Sequence, residues 1–158
     1  MRGKQLTTVA ALAAGTLAAT GLAFAPAAAA VTPQSATINA TCNIGGGGEA
    51  TLTATQDSTA ATITLSSTSI TTPLPLAQNS VTSTLTLVNA SGGTTAFSGK
   101  KNPAMAAGSG VSVGPLDGTV ASGDSLETYG GSLKMVVFGI TISCTANAPQ
   151  SPGPFVFD

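Results

Sequence analysis

The chain has no histidine and no tryptophan, and Tyr129 is its single tyrosine. Each absence removes a class of chemistry. Without histidine there is no conventional base for a serine nucleophile and no imidazole for a zinc site. Without tryptophan and with one tyrosine, the aromatic platforms that normally hold sugars in glycoside hydrolases are lacking. Charge is scarce as well: five basic against six acidic residues in 158. Beyond residue 30 only Lys100, Lys101 and Lys134 oppose Glu49, Asp57, Asp117, Asp124, Glu127 and Asp158. So weak a field gives no grip on nucleic acid, whose binding is dominated by phosphate neutralisation.

Hydrophobic residues open the chain. Arg2 and Lys4 form a short basic region, and "LTTVAALAAGTLAATGLAFA" follows without a charge. Pro26 and the small residues Ala27 to Ala30 then satisfy the A-x-A rule of signal peptidase. The segment predicts a cleaved signal peptide over 1–30, with Val31 as the first mature residue. An uncleaved anchor is the rival, because the run nearly reaches bilayer length; its many Ala, Thr and Gly residues and the good processing site favour cleavage. Secretion follows, with or without retention at the cell wall, and with no membrane span once the signal is removed.

Removing thirty of 158 residues leaves about 128, the size of one ordinary domain. We expect a single domain over 31–150 and a C-terminal tail over 151–158. Two cysteines, Cys42 and Cys144, lie near opposite ends of it. An even count in an exported chain predicts a disulfide, closing a loop that the chain-entropy account values at roughly 4.7 kcal/mol.

Period two dominates the mature region. "ATINATCN" places Ile38, Ala40 and Cys42 on one side; "EATLTATQ", "AATITLSS" and "SVTSTLTLVN" repeat the alternation with Thr opposite. "TTAFSG" carries Phe97 on a weaker strand, and "LKMVVFGITISCTA" reads as one long central strand. "NPAMAAGSG" allows a single helical turn, and no mature segment shows a sustained 3.6-residue stripe. The expectation is an all-β, two-sheet antiparallel sandwich, immunoglobulin-like, with the disulfide joining first and last strands.

Candidate chemistry is thin. "GDSLETYGG" contains the Gly-Asp-Ser-Leu tetrapeptide of a group of serine esterases, at residues 123–126. Those enzymes carry the serine early in an α/β fold, with a histidine near the C-terminus, and this chain offers neither. Lys134 could serve as an alternative base, but its position is on the more exposed side of a strand and no oxyanion hole is readable. Gly123 and Asp124 fit a tight turn better. Asp117, Asp124 and Glu127 form the one acidic cluster, with no calcium-loop spacing. "GSGVSVG" and "SGKKN" lack the strand–helix setting of nucleotide loops and read as loops.

The Ala-rich leader, the Thr/Ser/Gly-rich strands and the terminal "ISCTANA" resemble small secreted proteins of high-GC Gram-positive, actinobacterial type. The resemblance implies an exported β-sandwich and transfers no functional residue. "TINATC" is similar to the early cysteine strand of fimbrial subunits, but the Cys42–Cys144 spacing is too long and "FVFD" is the wrong ending. The expected function is therefore a non-enzymatic structural or binding module with no cofactor or metal, meeting an extracellular protein or cell-wall component. Its binding loops would lie around 99–118 and 123–131, with Lys100, Lys101, Asp117, Asp124, Glu127 and Tyr129 as contact residues. A hydrolase using the loop carboxylates, or an inhibitor presenting "GKKNP", are the competing readings.

Overall fold

The computed structural model describes residues 31–158; the expected signal segment lies outside the described residues. Among the described residues the regular elements are nine strands: β1 (Ser35–Cys42), β2 (Gly47–Asp57), β3 (Ala60–Thr71), β4 (Thr82–Asn89), β5 (Thr94–Gly99), β6 (Gly110–Thr119), β7 (Ser125–Val137), β8 (Ile140–Ala146) and β9 (Phe155–Val156). Their order in the sheet is β4-β5-β6-β3-β2-β1-β8-β7-β9, and β4 also pairs with β7. That last pairing joins the two ends of an eight-stranded row. The result is a closed antiparallel barrel, with β9 added beside the start of β7.

Closure overturns the expected two-sheet, immunoglobulin-like sandwich. Alternation says which side of a strand is buried and nothing about which strand it bonds, so sandwich and barrel give the same pattern. Two seams make the difference: β3 with β6, and β4 with β7. The inner wall formed by β1 and β2 is lined by small residues, Ala36, Ala40, Ala50 and Ala54, all buried. Small side chains on one wall let a tightly curved sheet close upon itself. β7 bends at Gly130–Gly131, where a Cβ on Gly131 would collide with the Thr86 carbonyl oxygen. Before the bend β7 pairs with β9, and after it with β8.

Ile38, Leu52, Ile63, Leu65, Leu85 and Leu87 point inward, while the intervening Thr residues occupy the outer surface. This is the reverse of a membrane-spanning barrel, which turns its apolar residues out. Among the described residues, no helix is long and apolar enough to cross a membrane.

Three further expectations change. "LKMVVFGITISCTA" is two strands, because Phe138 and Gly139, with φ of 49° and 77°, form a tight turn between β7 and β8. The turn puts Leu133 and Met135 inside and leaves Val136 exposed. The stretch read as loop around "GSGVSVG" is β6. Its alternation is broken at Gly114, where the register with β3 shifts between Ile63 and Leu65, so Val113 and Leu116, three apart, both face inward. "NPAMAAGSG" holds no helix: Ala106 to Ser109 is a turn, closed by the Ser109 amide donating to the Ala106 carbonyl at 3.1 Å.

Cys42 and Cys144 are bonded and stand opposite each other in the β1–β8 pairing. That seam has only three residue pairs, Ala40 with Ala146, Thr41 with Thr145, and the cysteines. The disulfide therefore fastens a short seam of the barrel as well as linking distant parts of the chain.

Residues 151–158, expected as a tail, form part of the barrel's packing. Phe155 and Phe157 are fully buried, and Phe157 stacks on Phe97. The Gly123 amide donates to the Phe157 carbonyl at 2.7 Å, and the Asp158 amide donates to Gln56 Oε1 at 3.0 Å. Both Val31 and the C-terminus lie at this end, with the connections 58–59, 90–93, 120–124 and 147–154. The connections 43–46, 72–81, 100–109 and 138–139 gather at the other.

Candidate functional site

The two barrel ends differ in chemistry. The end that holds Val31 and the C-terminus is filled by Phe155 and Phe157. The opposite end opens into a cavity of ≈ 160 Å³. Ile70, Val81, Met105, Val113 and Met135 form its inner wall, and Ile44, Leu74, Phe138 and Ile140 its rim. The rim residues are exposed by 46%, 57%, 70% and 56% respectively. Thr71 and Thr72 are the hydroxyl-bearing side chains of the lining, and no charged side chain among the described residues contributes to it.

Register explains how the rim is raised. β1 pairs with β8 as far as Cys42–Cys144, and Asn43 and Ser143 close the seam with two further hydrogen bonds, at 3.0 and 2.8 Å. Ile140 and Ile142 continue past the end of β1, still paired with Val137 and Met135, so the β7–β8 hairpin overhangs the opening. Its tip carries Phe138, a bulky residue held in the left-handed region and largely in water. Left-handed backbone costs a residue with a side chain roughly 1–2 kcal/mol. Conformations of that kind persist where the surroundings impose them, and they cluster at ligand clamps.

The loops on the other side of the opening are fixed by hydrogen bonds. Asn102 is buried, and its Oδ1 accepts from the Ser80 and Val81 amides at 2.8 and 2.9 Å. Its Nδ2 donates to the Ala77 and Pro103 carbonyls at 2.9 and 2.7 Å. Leu76 and Met105 exchange both backbone bonds, at 2.8 and 2.9 Å. The Thr72 hydroxyl donates to the Leu74 carbonyl at 2.6 Å. Loops 72–81 and 100–109 are thus tied together by backbone and side-chain hydrogen bonds, and Leu74, Leu76 and Met105 line the opening.

A second, smaller cavity of ≈ 30 Å³ lies deeper in the barrel. It shares Ile70, Val111 and Met135 with the first, so the two lie end to end. Ala40, Ala50 and Leu133 line its sides.

The residues selected from sequence lie elsewhere. Lys101 Nζ bonds Asp117 Oδ2 at 2.7 Å on the exposed outer wall, a type of pair worth little in water. Lys100 is exposed beside it. Asp124 Oδ2 accepts from the Ala121 amide at 2.8 Å and shapes the turn before β7. Glu127 Oε1 accepts from the Thr128 and Gln150 amides, both at 2.9 Å, and from the Tyr129 amide at 3.3 Å. That carboxylate holds segment 147–154 against β7. Tyr129 is exposed on the outer surface. Among the described residues, no three acidic or cysteine side chains come together as a metal-binding group. Ser125 begins β7 and pairs with Val156.

Sequence reasoning weighted polar loop residues and passed over the apolar ones. The missed signal is Ile44 before a glycine run, Leu74 between two prolines, and Phe138 before Gly139. A large apolar side chain inside a turn has no core to enter unless the turns converge. Comparison with protein-family models, with curated proteins and with solved structures finds no match.

Proposed function

We propose that the mature domain is a secreted, non-catalytic binding module that takes up an apolar ligand at the open end of its barrel. One observation carries this reading: a cavity of ≈ 160 Å³ with no charged side chain of the described residues in its lining, rimmed by large exposed apolar side chains, at the end of the barrel away from Val31 and the C-terminus. Concave, mostly apolar and largely pre-formed is the usual character of small-molecule sites, and barrel mouths are a common place for them. The knitted loops reduce the ordering cost of binding, which favours affinity. The disulfide supports an oxidising, extracellular setting. The ligand is then met in the medium or at the cell wall.

The test is titration of the oxidised mature domain with the neutral dye N-phenyl-1-naphthylamine. Saturable fluorescence enhancement, weakened by Ile140→Ser together with Leu74→Ser, is the expected result. Saturable binding that this double substitution leaves unchanged would place the site elsewhere, and no saturable binding of either this dye or 1-octanol would remove the reading.

A further inference from the structure

We infer that the ligand is an uncharged aliphatic chain that enters the barrel end-on; the inference rests on the binding role proposed for the open end. Four observations select this chemistry. First, no charged side chain among the described residues lines either cavity, so an ionised group drawn inside would find no partner. An uncharged wall matches an uncharged guest, with any polar head left at the rim beside the exposed Thr71.

Second, a smaller cavity adjoins the first further into the barrel. Ile70, Val111 and Met135 line both and stand between them. A flat ring would stop at the upper chamber, whereas a chain can use both.

Third, Met105 and Met135 both line the upper cavity. Methionine is unbranched and flexible, and it repacks around a guest more readily than a β-branched side chain. Met135 lines both cavities, and the end-on path requires it to move aside.

Fourth, among the described residues Phe138 is the one aromatic side chain of the lining, and it sits at the rim. A planar guest would be expected to meet an aromatic partner on each face; a chain needs only one apolar flap at the entrance. The concave shape also favours a single molecule over a lipid surface, because most of the apolar wall faces inward and out of reach of a bilayer.

The experiment is calorimetric titration of the oxidised mature domain with 1-butanol, 1-hexanol, 1-octanol, octanoate and 1-naphthol, with phosphatidylcholine vesicle flotation alongside. Affinity should rise up to about four-fold per added methylene until the chain outgrows the space. Octanoate should bind at least ten-fold more weakly than 1-octanol. Val111→Phe at the junction, and independently Ala50→Val in the deeper chamber, should flatten the dependence on chain length while dye binding at the rim persists. The protein should not float with vesicles. Equal affinity for octanoate, or naphthol binding as tightly as octanol, would overturn the chain assignment and leave the binding role standing. A length dependence unmoved in both variants would overturn the end-on path, and co-flotation would overturn the single-molecule guest. Failure of every alcohol and of the dye would overturn the assignment and the binding role together.

Discussion

Phe97 and Phe157 stack with ring centroids 6.4 Å apart and planes 24° from parallel. The contact joins a strand from the middle of the chain to its penultimate residue, and both side chains are fully buried. Phe157→Ala should therefore cost about 3–5 kcal/mol, as for large-to-small changes in a packed core. Urea unfolding followed by circular dichroism measures it. A shift below 1 kcal/mol would mean that the terminal segment does not plug the barrel.

The short β1–β8 seam makes the covalent bond count. Cys42→Ala combined with Cys144→Ala should lower stability by about 2–5 kcal/mol. Equilibrium unfolding of the variant against the oxidised parent reads this directly. Equal midpoints would show that the seam holds without its bridge.

Much of the wall was legible in the sequence, and the closure was not. Ile38, Leu52, Ile63 and Leu85 are buried as their alternation requires, because a strand with one dry face must alternate. The cysteine pair followed from an even count in a chain expected to be exported. β6 was hidden because the bulge at Gly114 changes the phase, so Val113 and Leu116 do not alternate although both are buried. The hairpin at Phe138 was hidden because Phe-Gly is a poor match to the Asn-Gly turns that announce such corners. The site itself is assembled from four loops distant in sequence. Ile44, Leu74, Phe138 and Ile140 look like isolated apolar residues until the barrel brings them to one rim.

Phe138→Asn places a residue suited to the left-handed turn at the tip of the hairpin. Stability should rise by about 1 kcal/mol, since the backbone penalty falls. Dye affinity should drop several-fold, because the apolar flap is gone. Thermal melts and dye titration of the same sample check both halves. Greater stability with unchanged binding would exclude Phe138 from the site.

Glu127→Ala removes the acceptor shared by the Thr128 and Gln150 amides. The expected cost is about 1–3 kcal/mol, with faster hydrogen exchange at Gln150 as segment 147–154 loosens. Binding at the distant mouth should be unaffected. Unchanged exchange at Gln150 would contradict a positioning role for this carboxylate.

The most direct test of an apolar site at one barrel end uses the isoleucine methyl groups as reporters. Ile44, Ile70, Ile140 and Ile142 line the upper cavity, Ile38 the deeper one, and Ile63 neither. In methyl NMR spectra of the oxidised domain titrated with 1-octanol, the first four signals should shift saturably, Ile38 should follow as the chain reaches inward, and Ile63 should stay still. Still signals at all of the mouth isoleucines, or shifts spread equally to Ile63, would contradict the account.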